Sequence, residues 1–342
     1  MVGNKHILIF ALCSLLLVPT ISAKKHVKPQ PKEAAPLTAE QEQQFTYYWY
    51  GAKEALAQEK YDEGLVLLEF CRLIKPNDGQ TLTFLAIMYD AMGQKDRALE
   101  TFRLAFEADP RDQWGRYAYA LEQKRTEEGY KQALDVLERA YKAQKPKVEE
   151  ELLEQLRRMY MRNFQWAKSI AVQDEIDQLK GFDAYSAVNR FQAYRSWGKF
   201  KKAFAALDRY LELDPNNVQI LIMRLELMEG TGTKPAELYA MYDRILDLAP
   251  GHVYVLNNYA YRLATDGGDL NKAEQMSAIT LREEPNNPLY LDTYGWIMHL
   301  KGQDELALFY LRRALSNIEQ AGHSAKRVQW EIENHIRIIE KK

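Results

Sequence analysis

Proline recurs along this chain at a nearly fixed interval. It stands at 76, 110, 146, 215, 250 and 285, so the gaps are 34, 36, 69, 35 and 35 residues, and the 69 spans two intervals with one proline missing near Gly181. Twelve or thirteen residues before each site comes a mostly small residue: Gly64, Ala98, Ala133, Ala167, Ala203, Leu238, Ala273 and Ala307. Seven positions further on stand Cys71, Ala105, Ala140, Asp174, Tyr210, Ile245, Thr280 and Ala314. Small residues also precede most of the series, at Ala52, Ala86, Ala120, Ala260 and Gly295. Self-similarity at such a period marks stacked supersecondary units, each unable to bury its apolar face alone.

Small residues at fixed places on two antiparallel helices let their backbones approach. Tyr89, Phe102, Tyr194, Leu207, Tyr294 and Leu311 fill the spaces between. A proline after the second helix stops it, because proline has no N–H donor and restricts its predecessor. The Asn and Asp that follow, as in Pro76-Asn77-Asp78, Pro215-Asn216-Asn217 and Pro285-Asn286-Asn287, then turn the chain and cap the next helix. Gly93, Gly198 and Gly302 supply the short turn inside three of the units.

Residues 79–112 (GQTLTFLAIMYDAMGQKDRALETFRLAFEADPRD) resemble a tetratricopeptide (TPR) repeat, and residues 184–217 and 288–321 are similar. Extending the phase gives eight repeats, starting near Phe45, Gly79, Gln113, Val148, Ala184, Val218, Val253 and Pro288. Repeat 3 carries one extra residue. Repeat 4, residues 148–183, lacks the proline and the small residue of its first helix and reads as irregular in sequence; a regular hairpin and a break that bends the array both stay open. The resemblance implies an all-α, right-handed superhelical solenoid of helix-turn-helix units over residues 45–321. Residues 322–342 match no repeat, but Val328, Ile332, His335, Ile336 and Ile339 form an apolar stripe suited to a C-terminal capping helix.

The first 23 residues read as an export signal: a lysine, the apolar run Ile7–Val18, Pro19, and small residues before Lys24. Twelve helical residues span about 18 Å, short of the roughly 30 Å hydrocarbon core. Leu12 directly precedes Cys13, which argues against lipoprotein processing. Residues 24–44, with three prolines and few large apolar groups, read as a disordered Lys/Pro leader. The expected location is therefore exported and periplasmic, with no membrane span in the mature chain.

The net charge of −2 gives no general drive toward nucleic acid, and 2 cysteines exclude a disulfide framework or a four-cysteine zinc site. There is no GxxxxGK[ST], HExxH, GxSxG or EF-hand loop, and the six histidines never fall four apart. With repeats and cap accounting for residues 45–342, no catalytic domain, metal or cofactor is expected.

The resemblance implies that repeat positions 2, 5, 9, 12 and 13 face a concave groove. Those positions carry Trp49 and Lys53 in repeat 1, Ile87 and Asp90 in repeat 2, and Tyr117 and Lys124 in repeat 3. Repeat 5 adds Tyr185, Gln192 and Arg195, repeat 7 Tyr254, Asn257 and Tyr261, and repeat 8 Asp292, Trp296 and His299. Aromatics give contact area at low entropic cost and amides bond a backbone, which suits a peptide or helical segment. For Trp296 and Tyr261 packing between repeats is an equal reading; for His299 a plain surface role is the simpler one. The Lys/Asn/Asn/Lys/Arg clamp of chaperone-binding TPR proteins is absent, since Trp49, Lys53 and Phe84, or Val188, Gln192 and Met223, stand in its places. Residues 253–319 are especially similar to periplasmic TPR proteins of Gram-negative bacteria. The expected function is a non-enzymatic scaffold binding other envelope proteins or peptide segments. Self-association into a homo-oligomer and a groove-based hydrolase stand as alternatives.

Overall fold

The computed structural model describes residues 36–321 and 326–341. The expected export signal and most of the expected leader lie outside the described residues. Among the described residues, every regular element is an α-helix. The chain runs through eight helical hairpins: α1 (Ala39–Ala57) with α2 (Tyr61–Ile74), α3 (Gly79–Ala91) with α4 (Lys95–Ala108), α5 (Trp114–Glu122) with α6 (Glu127–Gln144), and α7 (Glu150–Arg162) with α8 (Trp166–Lys180). Then come α9 (Ala184–Ser196) with α10 (Phe200–Leu211), α11 (Val218–Gly230) with α12 (Pro235–Leu248), α13 (Val253–Thr265) with α14 (Leu270–Glu283), and α15 (Pro288–Leu300) with α16 (Asp304–Ala321). Each second helix packs on its own first helix and on the first helix of the next hairpin. The last helix, α17 (Lys326–Glu340), packs on α16 and α15, where the first helix of a ninth hairpin would sit.

The close approach is visible at Gly295, where an added Cβ would lie 3.1 Å from the Ala307 carbonyl oxygen and 2.9 Å from Leu311 Cγ. Repeat 6 has Leu225 and Leu238 at the two small-residue positions, both buried, and α11 and α12 approach less closely than the helices of the other hairpins. The expected caps form: Asp78 accepts from the Thr81 N–H at 2.8 Å, Asn217 from Ile220 at 3.2 Å and Asn287 from Leu289 at 3.0 Å.

One residue in each hairpin turn has a left-handed backbone, and it serves as a ruler for the repeat. The series is Glu59, Gly93, Arg125, Phe164, Gly198, Gly232, Gly267 and Gly302. By this ruler repeat 3 starts at residue 111 and repeat 4 at residue 150, instead of 113 and 148. Repeat 4 is then a regular hairpin of α7 and α8, the first of the two readings its sequence left open, despite its irregular sequence. Its close-contact residues are Ser169 and Ile176, both buried, while Ala167, placed in the series by proline spacing, is exposed. The irregularity lies in repeat 3, where α5 is short, α6 is long, and Gln144 ties the two flanking connections, donating to the Arg111 carbonyl and accepting from the Glu149 N–H, both at 2.9 Å. A second correction concerns the leader: α1 begins at Ala39, six residues before the expected boundary. Thr38 and Gln41 form a capping box, and Glu42 pairs with Lys75 at 3.0 Å.

Most inter-repeat contacts are apolar, but the α8–α9 seam is polar. Arg190 pairs with Asp177 at 2.5 Å and Asp174 at 2.7 Å, and Ser186 and Gln173 also donate to Asp177. Burial works against the Asp177 charge, but hydrogen bonds from Arg190, Ser186 and Gln173 outweigh it and hold its pKa below the ordinary 3.8. A depressed carboxylate contributes stability above the unfolded pKa and loses it as pH falls through the folded one. Urea unfolding between pH 5 and pH 2 should therefore lose more stability in the native chain than in Asp177→Asn. The repeat phase has its own test. Ser169→Leu should destabilise by about 1–3 kcal/mol through overpacking, and Ala167→Leu by less than about 0.5 kcal/mol; the reverse order would restore the proline-based phase.

Candidate protein-binding face

Side chains at helical spacing of three and four share one face. On the first helices of successive hairpins these faces adjoin, as the first of two depressions shows; the second also takes in Lys95 and Phe102 of the second helix α4. One of about 460 Å³ is lined by Thr83 of α3, Arg116 and Tyr119 of α5, and Glu151 and Gln155 of α7. The second, about 560 Å³, lies between Asp90, Lys95, Phe102, Tyr119 and Gln123.

The expected residues divide into three groups. Lys53, Tyr185, Gln192, Arg195, Tyr254 and Tyr261 are exposed on first helices. Tyr185 accepts from Arg157 of the preceding repeat at 2.9 Å, and Tyr254 donates to Glu226 of the preceding repeat at 3.1 Å. Trp49 is half-buried, edge-on to Phe84 with centroids 4.8 Å apart, so it joins repeats 1 and 2. Asn257 is buried at 7% exposure.

Tyr117 and Lys124 do not join the face. Tyr117 is half-buried against Phe106, and its charged neighbours Arg103, Glu100, Glu107 and Arg139 all sit on second helices. Lys124 lies past the end of α5. The two-residue phase error is the cause: with repeat 3 starting at 111, groove positions 5 and 9 fall on Gly115 and Tyr119, and Tyr119 is 59% exposed. The left-handed turn that would have given the phase is formed by Arg125, so no glycine marked it.

Asp292, Trp296 and His299 are covered. Asp292 meets His335 Nδ1 of α17 at 2.8 Å, Trp296 stacks on the same imidazole with centroids 4.2 Å apart, and His299 Nδ1 contacts Asp304 at 2.6 Å. Burial pushes the Asp292 carboxyl pKa up, against the pull of His335. Packing, the alternative reading for Trp296, is what the structure shows.

The described residues hold no group of three His, Cys, Asp or Glu side chains placed for a metal ion, and no helix long and apolar enough to cross a membrane. Cys71 is fully buried, and burial pushes its thiol up to about 11, away from the reactive thiolate.

Residues 79–112 and 192–217 match the tetratricopeptide repeat family. No curated protein sequence matches the chain. Among solved structures, the C-terminal part of a TPR repeat-containing protein from Cytophaga hutchinsonii superposes over 72% of this chain and 98% of its own, with 18% identity and a TM-score of 0.53. A tetratricopeptide repeat protein from Parabacteroides merdae covers 87% of this chain and 99% of its own, at 11% identity and a TM-score of 0.41. The hairpins, the family match and the first of these likenesses identify the fold as an α-solenoid of TPR repeats.

The Asp292–His335 contact yields a direct test of how α17 is held. His335→Ala strands a buried carboxylate and should cost about 3 kcal/mol in urea unfolding at pH 7. A loss below about 0.5 kcal/mol would show that α17 is held by its apolar stripe alone.

Proposed function

We propose that this protein is a non-catalytic scaffold of the bacterial envelope that binds an extended or helical segment of another protein along its first-helix face. The carrying observation is the run of exposed aromatic and polar side chains on that face, from Tyr119 through Tyr185, Gln192 and Arg195 to Tyr254 and Tyr261. These rings are fixed on packed helices, so a partner meets preordered contact area and little entropy is lost on binding. The TPR fold supports protein partners in general. Export rests on the sequence pattern of residues 1–23, and Lys24 is the expected mature N-terminus.

A second reading, self-association through the ends of the stack, has its own observation. Tyr47 and Tyr50 on α1 are 73% and 64% exposed, and Trp330 on α17 is 62% exposed. Light scattering separates the two: the scaffold reading expects a monomer, end-to-end association a mass that grows with concentration.

Crosslinking in cells followed by pull-down tests the scaffold reading. The double variant Tyr119→Ala/Tyr185→Ala should weaken capture of specific envelope proteins about tenfold or more, as expected for loss of aromatic anchors. Undiminished capture would move binding to the second helices or the ends.

A further inference from the structure

We propose that the first-helix face of repeats 6 to 8 is a subsite for a cationic side chain, a lysine or arginine projected from the bound protein. This rests on the first-helix face being the binding surface, and adds the chemistry of one part of it.

Charge is segregated here. The first helices α11, α13 and α15 carry two arginines, and both are engaged by carboxylates: Arg224 with Asp208 at 2.7 Å and Arg262 with Asp266 at 2.8 Å. Lys272 on α14 is likewise held by Asp243 on α12, at 3.0 Å. Glu226 and Glu229 of α11 bond instead to the neutral phenols of Tyr254 and Tyr242, and no cation pairs with either among the described residues. Hydrogen bonds from phenols leave those charges in place.

The two exposed tyrosines sit in this negative field. Burial raises their hydroxyl pKa; Glu226 and Glu229 add to it at Tyr254, and Asp292, which is paired with His335, and Glu331 add to it at Tyr261. Between the tyrosines, on the same helical stripe, stands Asn257. It is 7% exposed, and its Oδ1 is buried without a hydrogen-bond partner. A buried acceptor left unpaired is costly, and an ammonium or guanidinium N–H entering between the rings satisfies it. The same cation lies against aromatic faces and near carboxylates, two attractions that act together once water is displaced. An acidic or purely apolar segment gains neither.

The test uses the mature protein and a labelled twelve-residue Gly/Ser probe carrying two arginines, beside a twin with citrulline in their place, which keeps shape and removes charge. Fluorescence anisotropy at low salt should show the arginine probe binding at least tenfold tighter than its twin, with affinity falling as salt rises. Glu226→Gln and Tyr261→Ala should each weaken it about three- to tenfold, and Leu104→Ala, exposed on the second helix α4, should leave it unchanged. Equal binding of the two probes, no binding of the arginine probe, or indifference to Glu226→Gln and Tyr261→Ala each overturns the subsite. The comparison of probes on the native chain needs no variant to fold. Failure here with partner capture still lost in Tyr119→Ala/Tyr185→Ala would leave the scaffold standing and remove only the cationic subsite.

Discussion

Everything in this molecule depends on how closely two antiparallel helices can approach within one hairpin. Gly295 shows the limit, since a single methyl group there would collide with the facing helix. Where the approach is close, the remaining side chains of both helices point either into the next hairpin or away from the stack. Repeat 6 shows the other extreme, with Leu225 and Leu238 holding α11 and α12 apart and Tyr242 stacking on Tyr259 of the next repeat, centroids 4.6 Å apart. The hairpin is the unit, but its phase decides which residues become surface.

That dependence explains what could be read from the sequence and what could not. Eight hairpins, their caps and the C-terminal helix were legible, because small residues, proline and Asn/Asp act locally. The boundaries of repeats 3 and 4 were not. Pro146 follows a lengthened α6, Gly181 stands where repeat 4 should have a proline, and the turns of these repeats are built by Arg125 and Phe164 in a conformation that glycine usually signals. A shift of two residues was enough to take Tyr117 off the face and to move a groove position from Leu121 to Tyr119. The burial of Asp292 and Trp296 was illegible for another reason: their partner His335 is 43 residues from Asp292, and no local pattern encodes that pairing.

The same physics governs where the charged groups pair. Charged groups on the second helices pair with neighbours a helical turn or a repeat away, as Arg139 does with Glu107 at 2.9 Å, and such exposed pairs serve solubility and register more than stability. Groups on the first helices recur one repeat apart, as Thr83, Tyr119 and Gln155 do along one depression.

The central claim is that partners meet the first-helix face. A photoreactive residue at Gln192, exposed on α9, and another at Leu104, exposed on α4, compare the two faces of the stack directly. Illumination in cells should give discrete protein adducts from position 192 and only background from position 104. Adducts from position 104 with none from position 192 would contradict the account.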